Sequence, residues 1–400
     1  MKKVKLENYE YHSCQIPNLE VIIDDEGVLV HLVLLYSIHL TRTNDAYSIV
    51  RREDQTGFTT LLESSKVGDS TITTYMACLF RFCKFVNESK SSKSLPCVHR
   101  IYELDSSDIN IYINKVLSLD LGEQSLELHV AALTSFFNFL TFIGIKSPCN
   151  IGLSSSGREQ ARDLHSKIMK INYVTLKERF ELIKLCTSKR DRLIMKMGYE
   201  VGLRASENRG ILLSYKGEEK GYLQDLFNQL NSPEFAHRQE FRYYLPGKYA
   251  KRGIGRFLYF TRELLNQMKQ YYDSEREAIL LGMGIDRIES KHLFINEKGK
   301  SKGKCISRRL ASDRYSIYAS KVPELAGNSV YHDLRHTFAT QLYHDELLDA
   351  NGAETRSESA ALIVVAERLG HQRTRDGKPS SVTTRYIRLR NTMLTAEDWN

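Results

Sequence analysis

Proline is scarce, 7 in 400 residues, against a usual ~5%. With few such breaks, long helices are unobstructed and a helix-rich chain is expected. Long apolar runs are missing too. The most apolar stretch, VLVHLVLLYSI from Val28 to Ile38, is about half the ~20 residues of a membrane span. The first residues, MKKVKLENYEYHSCQIP, lack the apolar centre of a signal peptide. Cysteines occur at positions 14, 78, 83, 97, 149, 186 and 305. Their number is odd and no CxxC pair occurs, so reduced thiols are expected rather than a disulfide frame or zinc site. Neither a GxxxxGK[ST] loop nor a clear metal-binding carboxylate motif is present, which removes the common NTPase reading. A soluble protein of the cytoplasm is expected.

What is present is an ordinary globular composition, 42% hydrophobic and 26% charged, long enough for two or three domains. Lys and Arg number 57 against 49 Asp and Glu, a net charge of +8, which favours a polyanionic partner. Residues 1–62 form a mixed segment of unassigned role, an arm-binding or oligomerisation module. Within it IPNLEVIIDD looks like a strand, and VLVHLVLLYSIHL could be helix or strand, since periodicity does not separate the two at this length. ESSKVGDS (63–70) looks like a loop. In the next stretch Met76, Leu79, Phe80, Cys83 and Val86 recur at helical spacing, an amphipathic helix with Ser70 or Thr71 as its cap. Two more helices follow, so 63–150 is expected to be a compact helical domain. The Ser, Gly and charge-rich 151–172 is expected to be a linker. Residues 173–400 read as a second domain: helices, plus two strands around the basic turn of EFRYYLPGKYAKRGIGRFLYF.

Four segments of that second domain could carry chemistry. In GLRASE, Arg204 follows a Gly-Leu break where a new helix is expected to start. Its guanidinium can fork two phosphate oxygens, and Glu207, one turn on, could orient it. In HDLRHTFAT, His332 and Arg335 share a helix face, with Asp333 and His336 expected to point elsewhere. Two cations on one face suit an anion between them, and the imidazole can handle a proton near neutral pH. In LGHQRTRDGKPSSVTTRYIRL, Gly370 stops a helix, His371 follows, and Tyr386 stands between Arg385 and Arg388, a setting that eases a phenol towards phenolate. In PGKYAKRGIGR, Lys248, Lys251, Arg252 and Arg256 gather on one turn with no acid among them.

The order of these segments resembles the catalytic domain of the tyrosine recombinases, or phage-type integrases. That family runs Arg, Lys on a β-turn, His-x-x-Arg, His or Trp, and Tyr. Here Arg204, Lys251, His332, Arg335, His371 and Tyr386 fill the six places over roughly residues 70–395. The resemblance implies a mainly α fold with a small antiparallel β-sheet: a helical core-binding domain followed by a mixed α+β catalytic domain. It implies a site-specific DNA recombinase that cuts and rejoins DNA through a 3′-phosphotyrosyl link, without metal or other cofactor. Tyr386 would be the nucleophile, Arg204 and Arg335 the fixed cations, His371 a further donor, Lys251 the acid for the leaving 5′-oxygen and His332 the partner of the tyrosine proton. Either Lys251 or Lys248 could fill the lysine position. Double-stranded DNA, contacted through Lys248, Arg252, Arg256, Lys302, Lys304, Arg308 and Arg309, is the implied partner. A homo-tetramer on two duplexes, in the bacterial cytoplasm and on the nucleoid when bound, follows from the same resemblance.

Two stretches depart from the pattern. DELLDANGAETRSESAA lengthens the path from Arg335 to His371, and RTRDGKP lengthens that from His371 to Tyr386. With the extra N-terminal segment they favour the integrase of a mobile element. Two rivals remain open: an accessory DNA-binding protein, which predicts a missing catalytic position, and a type IB topoisomerase, which relaxes supercoils as a monomer.

Overall fold

The computed structural model describes residues 1–11, 14–16, 18–54, 57–89, 97–165, 172–286, 290–349, 351–371 and 385–395, with backbone alone at 11, 14, 51–54, 57–60, 165, 252, 385–388 and 391. The chain divides into two compact units, Met1–Ile168 and Met169–Asn400.

In the first unit β1 (Lys2–Leu6) pairs antiparallel with β4 (Leu19–Ile23), and β2 (Tyr9–Tyr11) with β3 (Cys14–Ile16). The stretch that could be helix or strand is helix α1 (His31–Thr43), burying Val33, Tyr36 and Leu40 and ending at Asn44 in the left-handed conformation. A hairpin of β5 (Asp45–Asp54) and β6 (Gly57–Lys66) follows. Its base corrects the loop expected at 63–70: Ser64, Ser65 and Lys66 pair with Tyr47, Ala46 and Asp45. Backbone hydrogen bonds, not apolar side chains, hold that end of β6. Helix α2 (Asp69–Glu88) then starts from Gly68 rather than from a Ser70 or Thr71 cap. After a 3₁₀ stretch at Val98–Glu103 come α3 (Ser106–Ile111), a π turn (Tyr112–Leu117), α4 (Ser118–Asp120) and α5 (Glu123–Phe142).

One core unites α1, α2 and α5. Met76, Leu79, Phe82 and Val86 of α2 and Leu133, Phe136 and Phe137 of α5 pack with Val33, Tyr36 and Leu40 of α1, and the Tyr36 hydroxyl donates to Ser135 Oγ at 2.8 Å. The N-terminal segment therefore shares the core of the helices, where a separate module ending at residue 62 was expected. The expected linker differs too. It contains α6 (Ser155–His165), whose Arg158 and Arg162 bond Glu123 at 2.8 and 2.7 Å while Ala161 is fully buried. An almost wholly polar helix pinned by two carboxylates, Glu123 and Glu127, has the composition of a loop. Residues 166–171 of that linker lie outside the described residues.

The second unit contains α7 (Leu176–Leu185), α8 (Lys189–Tyr199), α9 (Leu223–Asn231), β7 (Glu240–Leu245), β8 (Arg256–Thr261), α10 (Arg262–Tyr271), α11 (Glu277–Leu281), α12 (Leu310–Ala319), α13 (Tyr331–Leu347), α14 (Glu358–Leu369) and α15 (Arg385–Thr395). β7 and β8 form the expected hairpin, with Phe241 opposite Phe260 and Leu245 opposite Arg256. Burial alternates along both strands, with Phe241, Tyr243 and Leu245 facing inward from β7, as a half-buried ribbon requires. Helix α13 is buried on several sides, polar residues included: Asp333, Arg335, Thr337 and Thr340 are all in the interior. Thr337 and Thr340 satisfy their hydroxyls on the carbonyls of Asp333 and His336. The architecture is mainly helical with small two-stranded antiparallel sheets. No helix among the described residues is long and apolar enough to cross a membrane.

Candidate active site

The site is built around the turn that follows α8. Gly202 adopts φ +71°, and a Cβ there would lie 2.4 Å from Phe338 Cδ1, so both conformation and space demand glycine. Gly202→Ala is expected to lower stability by about 1–2 kcal/mol from the left-handed backbone alone, with the Phe338 clash added, read as a fall in thermal midpoint. Arg204 then opens a six-residue 3₁₀ turn, Ala205–Gly210, where a longer helix was expected. The Asn208 amide explains the tightening: it bonds the carbonyls of Arg204 and Ala205 and the Tyr331 hydroxyl, the last at 3.0 Å, competing with helical geometry.

Glu207 lies on this turn with no exposed surface. Its Oε2 accepts the Arg204 backbone N–H at 2.9 Å, and its Oε1 accepts Arg204 Nη1 at 2.7 Å. Arg256 forks both oxygens, Nη1 to Oε1 at 2.8 Å and Nη2 to Oε2 at 2.7 Å. Arg335 Nη1 stands 3.8 Å from Oε2. Burial alone would raise the Glu207 pKa. The Arg256 hydrogen bonds and charge, with Arg335 and Arg204, overrule it and hold the carboxyl far below its ordinary range.

Arg335, from α13, is 1% exposed. Its Nη1 donates to the Gly202 carbonyl, and its Nη2 donates to the Leu369 carbonyl at 2.7 Å and lies 3.4 Å from His371 Nε2. A guanidinium has no acceptor, so the imidazole accepts at Nε2 and carries its proton on Nδ1. His371 is placed by Gly370, which ends α14 in the left-handed conformation, and by its own N–H on the Ala366 carbonyl at 2.8 Å. Burial, then Arg335, Arg204 and Arg256, push its pKa down to about 3, so it is neutral at physiological pH.

His332, in the first turn of α13, keeps an exposed edge. Its pKa is lowered by desolvation of the inner edge, then by Arg335 and Arg204, with Lys251 contributing. His336, expected to point elsewhere, meets the His332 ring edge-on at 4.5 Å. Asp333 does turn away, accepting from the Val330 N–H and the Ser329 hydroxyl. Lys251 is exposed on the turn Lys251–Gly253, and Lys248 on the turn Gly247–Tyr249. Lys248 contributes to lowering the pKa of His292.

Tyr386 is the second residue of α15, and its side chain lies outside the described residues. The helix itself is docked: Leu389 packs with Ala339, Tyr343 and Leu347 of α13 and Leu362 and Val365 of α14. Met393 is fully buried, and Arg390 Nε donates to His344 Nδ1 at 3.2 Å.

Among the residues expected to face DNA, Lys248, Lys304, Arg308 and Arg309 are exposed and Lys302 is half-buried. The side chain of Arg252 lies outside the described residues. Arg308 lines a cleft of about 560 Å³ together with Arg204 and His332. Arg256 is a correction. It is buried and bound to Glu207, not presented to a ligand. The strand alternation held the signal, because Arg256, Leu258 and Phe260 occupy successive inward positions of β8, and an arginine in such a row needs a buried acid.

No family profile matches the chain. Among curated proteins it is 25% identical over 305 residues to the tyrosine recombinase XerC of Listeria welshimeri, covering 76% of this chain and 83% of that protein. It is 23% identical over 332 residues to the tyrosine recombinase XerC of Chlorobaculum tepidum, covering 78% and 84%. Among solved structures, the XerH site-specific recombinase bound to palindromic difH substrate, in a post-cleavage complex, superposes with a TM-score of 0.52 at 17% identity, covering 81% of this chain and 79% of that one. That likeness shows the fold. In sequence the chain is similar to curated tyrosine recombinases, and its fold is that of a site-specific recombinase.

Proposed function

We propose that this protein is a site-specific DNA recombinase of a mobile element, which cuts and rejoins DNA through a 3′-phosphotyrosyl intermediate on Tyr386. The observation that carries the reading is the convergence of Arg204, His332, Arg335 and His371, from three separate chain segments, around one buried carboxylate beside an open cleft. Three guanidinium groups share a single negative charge there, so the assembly has room for the charge of a phosphodiester.

In the proposed reaction the Tyr386 oxygen attacks the phosphorus, its proton passing to neutral His332. The depressed pKa of His332 leaves it free to accept. Arg204 and Arg335 stabilise the charge that builds on the non-bridging oxygens, and His371 Nδ1 carries the proton it could donate. Lys251 protonates the departing 5′-oxygen. The bond energy is kept in the phosphotyrosyl link, so rejoining is the same step reversed. Double-stranded DNA would be held through Lys248, Arg252, Lys302, Lys304, Arg308 and Arg309. The first unit supplies a core-binding module, and four copies assemble on two duplexes. The extra N-terminal elements and the long α13–α14 connection favour a mobile-element enzyme.

The test uses nicked duplexes with a randomised sequence around the nick, from which denaturation-resistant adducts are selected and the linked peptide mapped. An adduct on Tyr386 is the expected outcome; no adduct, or one on another residue, removes the reading. Joined products from two-site substrates, without relaxation of a supercoiled plasmid by the monomer, separate recombination from the topoisomerase alternative. Two variants decide the lysine: on the Lys251 reading, Lys251→Ala is expected to lower cleavage by about 10²-fold or more, and Lys248→Ala to weaken DNA binding mildly with cleavage near normal.

A further inference from the structure

Arg256 is the least expected member of the cluster. It opens β8, directly after the loop that carries Lys251, and its side chain turns inward to fork Glu207 with both nitrogens. The same carboxylate then holds Arg204 twice, through its guanidinium and through its backbone N–H. On its other flank, a Cβ at Gly370 would lie 2.7 Å from Arg256 Cδ. The stem of Arg256 therefore fills the space beneath the residue that places His371. Standing first on the strand after the lysine loop, this one side chain joins the arginine turn to the histidine corner.

We propose that Arg256 is a positioning residue of the strand-cleavage reaction, acting through Glu207 to fix the plane of the carboxylate and hence the aim of Arg204. The inference rests on the recombinase reading. A bidentate fork fixes both the distance and the rotation of its partner, which a single hydrogen bond does not. With Arg256 in place, Glu207 Oε1 is held where it shares its two donors, and Arg204 cannot swing without breaking a buried, charge-assisted bond. Without it, the carboxylate is free to rotate towards Arg335, 3.8 Å away, and to draw that guanidinium off the Leu369 and Gly202 carbonyls. Arg256 itself is buried, held by Glu207 on one side and the Gly370 corner on the other.

The experiment is a double-mutant cycle with Arg256→Lys and Glu207→Gln, using adduct-forming duplexes selected with the wild-type protein. Failure of the wild type to form any adduct sinks the recombinase reading itself; the cycle is run on a wild type that cleaves. Arg256→Lys keeps the charge and most of the stem but not the fork. It is expected to melt near the wild type, bind the duplex within about twofold, and cleave more than tenfold more slowly in a single turnover. Its cleavage should also acquire an acid limb at higher pH than the wild type, because the buried Glu207 loses its strongest partner. In the double variant, Arg256→Lys should add little to the loss already caused by Glu207→Gln, and the acid limb should vanish. Wild-type cleavage by Arg256→Lys overturns the proposal. So do losses that multiply in the double variant, since a merely structural arginine would act independently of Glu207. Should Arg256→Lys melt early, Arg256→Gln beside Glu207→Gln repeats the cycle at a temperature where both are folded, with the same two deciding outcomes.

Discussion

Tyr386→Phe binds the selected duplex with wild-type affinity and yields no covalent adduct on the nicked substrate. The change removes one oxygen from the second residue of α15 and leaves in place the packing of Leu389 against α13 and α14 and the burial of Met393. The thermal midpoint should therefore stay within a degree or two, while cleavage falls below detection, because the proposed nucleophilic oxygen is gone. A denaturation-resistant adduct from Tyr386→Phe would strip this residue of its role. One of the remaining tyrosines would then have to be the nucleophile.

Arg335→Ala has the second largest expected effect, and it splits into two parts. Removing a preorganised donor to developing charge commonly costs ~10²–10³ in rate. The same side chain also satisfies two buried carbonyls, Gly202 and Leu369, and leaving such groups unpaired costs about 1–3 kcal/mol each. Arg335→Ala is thus expected to lose both cleavage and several degrees of thermal stability. Arg335→Lys separates the parts. A lysine keeps a positive charge but cannot reach both carbonyls and His371 at once, so its cleavage should stay low while DNA affinity remains near that of the wild type. Wild-type cleavage in Arg335→Lys would show that charge alone, not the guanidinium geometry, is used.

Much of the site was legible in the sequence because its residues sit at fixed local spacings. Glu207, three residues after Arg204, forms the bond that spacing suggested, and the His332 and Arg335 pair shares a helix face as expected. The part that was not legible depends on long-range partners. Arg256 looked like one more cation of a basic turn. Only its pairing with a carboxylate 49 residues away reveals why an arginine tolerates burial, since a buried charge without a partner is expelled or neutralised. The fold shows the same division. Helix α2 was visible from its apolar stripe, whereas the β5–β6 base is held by backbone pairing of polar residues, and α6 by Glu123 from another helix. Neither leaves a hydrophobic pattern to read.

The seating of α15 bears on how copies of this protein can cooperate. Burial of Leu389 and Met393 in the chain's own body is worth about 1.5–3 kcal/mol for each side chain, so lifting that helix away exposes roughly 3–6 kcal/mol of apolar surface. Any exchange of α15 between neighbours would be an uphill step, sensitive to every methyl group under the helix.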